Sequence, residues 1–353
     1  MNKLYSNEMV FRGHPDKVCD QISDSILDAY LSQDKNTRAG IEVVGGKGII
    51  FITGEVSSAG VIDLKTTVNN CLSEIGYEPS KYAIIDNLGI QSTDISQGVI
   101  IGGAGDQGMM FGYACNDTKE YLPKAQIILQ RFSKIYDELR KTDTNFLPDG
   151  KCQITGLYDE KFNLLEINTF TISYQNKETN RCKTDSILKN IANGICEEYG
   201  VEIKNFLINP TGKFLIGGFD GDAGLTGRKI VVDNYHSFAN VGGGAFSGKD
   251  GTKVDRSAAY KARQIAINYV KTKNLKWCEV QLSYAIGIKH PLAIYIDSDI
   301  GNLVVPQSLY EECTPREMIS AFKLQSPIFL ETSKFGHFGN NEFRWEKQWD
   351  YQN

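Results

Sequence analysis

The sequence has no run of about 20 apolar residues, the length a membrane-crossing helix needs, so nothing in it reads as a membrane span. Residues 1–15 lack the apolar core of a signal peptide, which makes the cytoplasm the expected location. Histidine is scarce, with 4 in 353 residues, and none of the 8 cysteines (Cys19, Cys71, Cys115, Cys152, Cys182, Cys196, Cys278, Cys313) belongs to a C-x-x-C pair. That argues against a zinc site and against a disulfide framework. Low-complexity sequence is missing, as is any linker long enough to separate independent beads. An excess of positive charge is missing too: 38 Lys and Arg against 43 Asp and Glu leave a net charge of −5. There is thus no general pull toward nucleic acid or an anionic membrane, and any polyphosphate must be held by a local basic cluster.

What is present suits a folded protein, with 41% hydrophobic and 23% charged residues. The length exceeds one ordinary core and suggests two or three units of roughly 100 to 150 residues. Val18, Ile22, Ile26 and Tyr30 at helical spacing predict a helix over 16–31, entered through Pro15. A strand over 48–56, a helix over 63–75 and a strand over 83–91 come next, and glycines then gather between 98 and 108. The recipe repeats with a long helix carrying Ile128, Leu129, Phe132, Ile135, Tyr136 and Leu139, strands over 151–158 and 164–175, and a helix over 184–199. After turns at 209–227, the pattern predicts a strand at 228–233, a helix at 255–271, and strands at 276–288 and 292–297. Strands and helices mix without strict alternation, so the expected class is α+β. Three structurally similar domains, each a mixed sheet plus helices in a pseudo-threefold arrangement, are expected at 1–98, 103–216 and 217–353, packed and interlocked.

Two short patterns are rejected on context. Residues 103–108, GAGDQG, satisfy the dinucleotide pattern G-x-G-x-x-G, but the adjoining stretch 109–115, with Phe111, Gly112 and Tyr113, reads as a strand and not as the helix a pyrophosphate needs. Residues 243–249 fit G-x-x-x-x-G-K, yet Asp250 stands where a P-loop needs a Ser or Thr hydroxyl for magnesium, and no buried strand leads in.

Taken together, GHPDK at 13–17, GAGDQG at 103–108 and GGGAFSGKD at 242–250 resemble, in order and spacing, the three signature segments of the S-adenosylmethionine synthetase (methionine adenosyltransferase) family. NPTG at 209–212, GLTGRK at 224–229 and KVDRS at 253–257 extend the likeness from about residue 8 to 346. The resemblance implies that methionine sulfur attacks C5′ of ATP and that the released triphosphate is hydrolysed to diphosphate and phosphate. A thioether has no proton to lose, so such a step needs no general base; it needs cations and metal ions for the departing triphosphate, and in-line alignment.

Carried over residue by residue, the resemblance makes His14 the donor to the oxygen leaving C5′, against the plain alternative of a helix cap. Asp16 and Asp255 become ligands of Mg2+, expected as a pair of ions per site, and Glu42 a ligand of K+. Lys151, Arg228, Lys229 and Lys249 are the candidates for triphosphate. Lys253 is assigned to phosphate or the methionine carboxylate, and Glu55, Gln91 and Asp222 to methionine. Phe214, after Lys213, stacks on adenine, with core packing as its rival, while Asp149, Asp222 and Ala245 complete the nucleotide pocket. Asp106 and Asp94 are further active-site acids. The family also implies a homodimer with active sites between subunits, or a homotetramer of such pairs.

The pattern departs from the family at residues 100–102, where a longer gating segment is usual, at Lys213 in place of Arg, which loses a bidentate fork, and at Phe219-Asp220, which adds negative charge near the phosphate path. Two rival functions remain open on the sequence: a non-catalytic nucleotide-binding or regulatory relative of the same fold, and a kinase or ligase using 243–249 as a P-loop.

Overall fold

Pro15 suits a first helical turn because its ring presets φ and the N–H it lacks has no partner there. A computed structural model describes residues 2–90, 102–177 and 181–347. The chain begins with β1 (Lys3–Val10), α1 (Pro15–Leu31), β2 (Arg38–Gly46), β3 (Ile49–Ser57), α2 (Leu64–Ile75) and β4 (Ala83–Gly89). It continues with β5 (Gly108–Cys115), α3 (Lys124–Thr142), β6 (Phe146–Tyr158), β7 (Leu164–Asn176), α4 (Arg181–Glu198) and β8 (Ile203–Ile208). The last part holds β9 (Gly224–Leu225), α5 (Ile230–Asp233), α6 (Val254–Lys273), β10 (Trp277–Tyr284), β11 (Ala293–Ser298), α7 (Ser308–Glu312), α8 (Pro315–Phe322) and α9 (Phe329–Lys334).

The strands form three sheets, in the orders β1-β6-β7-β8, β4-β3-β2-β9 and β11-β10-β5. Each sheet takes strands from more than one third of the sequence: β1 joins the central sheet, β5 joins β10 and β11, and β9 pairs with β2. Helices cover one face of each sheet. Buried Val18, Ile22 and Ile26 of α1 and Val68, Leu72 and Ile75 of α2 share one core with Ile41, Val43, Ile50 and Ile52 of β2 and β3 and with the α6 and β10 residues. A second core gathers Phe132 and Tyr136 of α3, Leu188 and Ala192 of α4, and Ile154, Phe170 and Ile172 of β6 and β7. No helix among the described residues is long and apolar enough to cross a membrane.

Asp63 starts α2 by accepting the Thr66 N–H at 3.0 Å, and Gly76 closes it with a left-handed φ of 100°. α6 lies on β5 so closely that a Cβ at Gly112 would overlap the backbone of Ala262 and Arg263. The expected α+β class is present as three sheets with helices; two sheets are mixed, and β11-β10-β5 is antiparallel throughout. The strand expected at 228–233 is a correction. Its β-branched Ile230, Val231 and Val232 suggest a strand, but the Asp233 N–H bonds the Lys229 carbonyl at 2.9 Å and the Asp233 carboxylate is drawn inward to Lys17 at 2.7 Å, so a tertiary ion pair bends the segment into the short helix α5. Strands β1, β2 and β8 were not anticipated, and the strand expected over 276–288 stops at Tyr284.

Candidate functional site

The organising element of the site is α1. Its apolar row faces the core, but Asp16, Asp20 and Asp24, which repeat at the same spacing, are buried as well. With Asp28 they form a carboxylate ladder that accepts backbone N–H groups from separate loops: Leu225 on Asp16 (3.0 Å), Gly227 on Asp20 (2.8 Å), Gly248 on Asp24 (2.8 Å), and Phe329 and Leu330 on Asp28 (3.0 and 2.8 Å). Loops that carry cations are thereby tied to one rigid rod. Sequence reasoning singled out Asp16 and missed the rest. No local signal set them apart, since acids at every fourth position, one of them an i,i+3 neighbour of Lys17, also suit an ordinary solvated face.

At the head of α1, His14 is the N-cap, and its Nδ1 accepts the Asp16 N–H at 3.2 Å. Burial pushes the imidazole down to about 4, and the neighbouring Lys229 adds to the effect, so the ring is neutral at neutral pH. The 3.9 Å between Nδ1 and the Asp16 carboxylate is therefore no ion pair. With Nδ1 an acceptor and the ring neutral, the proton resides on Nε2, which leaves a single N–H donor. The capping alternative for His14 is thus present, and the cap fixes the tautomer that a donor role would need.

Arg228 Nε donates to Asp16 at 2.8 Å, and Lys229 Nζ also bonds this carboxylate. Burial raises the Asp16 carboxyl, but hydrogen bonds from Lys229, the Leu225 N–H and Arg228 outweigh it and hold it below the usual range. Lys151 and Asp222 lie close enough to act on the His14 ring. Lys151 comes two residues after Asp149, whose carboxylate accepts the Gly218 N–H at 2.7 Å and is pushed by burial up to about 6. This first cluster therefore brings together His14, Asp16, Asp149, Lys151, Asp222, Arg228 and Lys229. Phe214 is half-buried and Lys213 exposed on the segment beside it, where the Phe214 carbonyl accepts the Asn176 N–H at 3.0 Å.

A second cluster lines a cavity of about 210 Å³ that includes Glu42, Glu55, Asp106, Ala245, Lys249 and Lys253. Lys253 is buried, has no hydrogen-bond partner at its Nζ among the described residues, and approaches the Glu55 carboxylate to 3.6 Å. Asp255 pairs with Lys249. A larger cleft of about 820 Å³ opens elsewhere, between Phe162, Phe238 and Trp277, and holds none of these residues. The two clusters meet where Gly227 abuts Ala245. Gln91 and Asp94 lie outside the described residues, as do Ile100 and Ile101 of the shortened segment.

The Gly243–Lys249 turn is not a P-loop. Asp250 is buried and accepts the Ala39 N–H at 2.8 Å and the Thr252 N–H at 2.7 Å, so it staples the turn to β2 and is not aimed at a ligand. Phe219 is likewise buried, against Tyr82 and Gly45, and Asp220 is exposed with its carbonyl taken by Lys47.

Among the described residues no group of three His, Cys, Asp or Glu is placed to hold a metal by itself. The individual donors still suit an oxygen-seeking ion. Asp255 lies against Gly244, where any Cβ would overlap its carboxylate, so the glycine leaves that acid a cradle.

A three-sheet α+β fold thus carries a cluster of cations around a neutral histidine. Three domain profiles match in sequence order: S-adenosylmethionine synthetase, N-terminal domain, over residues 2–97, the central domain over 101–214, and the C-terminal domain over 216–347. The chain belongs to the S-adenosylmethionine synthetase family, whose members are transferases of S-adenosylmethionine biosynthesis that act on ATP and methionine and use metal ions.

Proposed function

We propose that this chain is a methionine adenosyltransferase that converts ATP, L-methionine and water into S-adenosyl-L-methionine, diphosphate and phosphate. The observation that carries the reading is His14: a neutral ring with its proton on Nε2, beside Lys151, Arg228 and Lys229. Sulfur is the nucleophile and gives up no proton, so the protein's task is to orient it and to stabilise the triphosphate as the C5′–O bond breaks. His14 Nε2–H donates to the leaving oxygen, and the three cations, with Lys249 of the second cluster, take up the spreading charge. Hydrolysis of triphosphate uses the same cations, since phosphoryl transfer rests on positioning and charge. Glu55 and Lys253, opposite charges in the 210 Å³ cavity, match the amino and carboxylate ends of methionine, with Asp222 and Gln91 as further contacts. Phe214, Lys213, Asp149 and Ala245 are assigned to the nucleoside side of ATP.

Asp16 and Asp255 are the residues that would hold Mg2+, and Glu42 the one that would hold K+. Bound there, Mg2+ would neutralise phosphate oxygens and help fix their geometry. A homodimer with shared active sites is part of the proposal, and its support is the uncovered face of β2, β3 and β4. Val44, Phe51 and Ile85 are directly paired neighbours on that face, Val44 and Ile85 are exposed, and Glu42 and Glu55 project from the same side. A second copy seated on this apolar row would bring another charged cluster to the cavity edge.

The test is incubation of purified protein with ATP, methionine, Mg2+ and K+, with mass spectrometry of the products. The sulfonium product should form with one diphosphate and one phosphate, and His14→Ala should lower turnover about 10² to 10³-fold. Accumulation of ADP or AMP in step with methionine use, or binding of ATP without any turnover, would refute it.

A further inference from the structure

Arg228 and Lys229 lie on a turn whose course is set from α1. The preceding residues are held by β2: the Thr226 N–H bonds the Val43 carbonyl at 3.0 Å, and Thr226 Oγ1 accepts the Val43 N–H at 2.9 Å. Beyond Thr226 the chain leaves the sheet. Gly227 is the first residue past it and has a left-handed φ of 81°, and its N–H is held by Asp20 Oδ1 at 2.8 Å. On its other side Gly227 is packed against Ala245, where a side chain would collide. The far end of the segment is fixed as well, because Asp233 pairs with Lys17 at 2.7 Å and Lys17 lies 3.3 Å from Asp20. Three buried charges on α1 and α5 thus bracket the two exposed-side cations.

We infer that Asp20 is a positioning residue for the proposed reaction: its carboxylate, by holding the Gly227 N–H, sets the direction in which Arg228 and Lys229 leave β9. The inference rests on the methionine adenosyltransferase reading of this site. Asp16 alone is not enough for this task. In the proposed reaction Arg228 and Lys229 would leave it for phosphate, and while they turn away Asp20 keeps the turn in place. Asp20 touches neither substrate in this scheme and acts through Gly227 only. Misplacement of a catalytic cation by about 1 Å is enough to lower a rate about a hundredfold.

The charge balance makes the test feasible. Removing Asp20 leaves Lys17 paired with Asp233, so no buried charge is stranded. Asp20→Asn keeps an oxygen for the Gly227 N–H, whereas Asp20→Ala and Asp20→Ser do not reach it. The expected result is a kcat at least about tenfold lower for the Ala and Ser variants, methionine KM within about twofold of the parent, and recovery to within about threefold in Asp20→Asn. Circular dichroism and thermal melting establish that the compared variants are folded. A folded Ala or Ser variant with unchanged kcat overturns the inference, as does an Asn variant as poor as Ala. If neither Ala nor Ser folds, Asp20 serves the fold and the positioning role is refuted. A parent protein that forms no sulfonium product refutes the reading beneath it, which is a different outcome from an active parent with an indifferent Asp20.

Discussion

Lys249 and Asp255 show how much of the chemistry depends on single charges. Each is mostly buried and engaged with the other, so each meets a ligand only by giving up its partner. Lys249→Ala and Asp255→Asn should each cost about 3 kcal/mol or more of transition-state stabilisation while leaving the fold intact; near-normal kcat/KM in folded variants would contradict the site. Asp28 makes a prediction about pH. Burial raises its carboxyl to about 7, against the Leu330 and Phe329 N–H bonds that favour the charged form. Its folded pKa therefore lies above the unfolded value, the folded state binds the proton more tightly, and the wild type is penalised as pH rises through the window from about 4 to about 7. Asp28→Asn does not titrate. The melting temperature of Asp28→Asn minus that of wild type should accordingly grow from pH 5 to pH 8, and a pH-independent difference would remove Asp28 as the cause.

At the scale of elements, α1 and α6 were legible and their roles were not. Apolar spacing located both helices to within two residues at either end. It gave no hint that α1 would bury charges, because an acid every fourth residue looks the same on a solvated face as on one threaded by loop N–H groups. The same limit applies to α5, where local β-propensity points one way and the Lys17–Asp233 ion pair decides the other. β1, β2 and β8 escaped notice because their polar or glycine-bearing alternation is weak without knowledge of which face a helix covers. Close packing of α6 on β5 can be tested directly. Gly112→Ala places a methyl against the Ala262 and Arg263 backbone and should lower stability by about 1 to 3 kcal/mol or more, read by chemical denaturation; an unchanged unfolding midpoint would mean that the helix is free to move away.

For the whole molecule, the exchange of strands among sheets has a mechanical consequence. β9 pairs with β2 and leads straight into Arg228, while Gly40 of β2 also bridges to Lys249, so one strand supports both charged clusters. The exposed apolar row on β2, β3 and β4 carries the prediction at this scale. Phe51→Lys introduces a charge into the apolar row and should halve the mass seen by light scattering and abolish most turnover; an active dimer of normal mass would exclude this face as the subunit contact.

The α+β class, helices α1 to α4 and α6, most strands and the glycine-rich segments that carry the candidate residues could be read from the sequence, because periodicity and short motifs are local properties that a chain carries wherever it folds; α5 was read as a strand and α7 to α9 were not anticipated. Tertiary structure alone decided that His14 is a neutral ring with its proton on Nε2, that Asp250 is a staple, that Asp20 and Asp24 belong to the site's scaffold, and that the charged residues fall into two clusters. Those outcomes depend on burial and on partners 200 or so residues away, such as Asp20 with Gly227 and Asp24 with Gly248, and no local pattern encodes such distances.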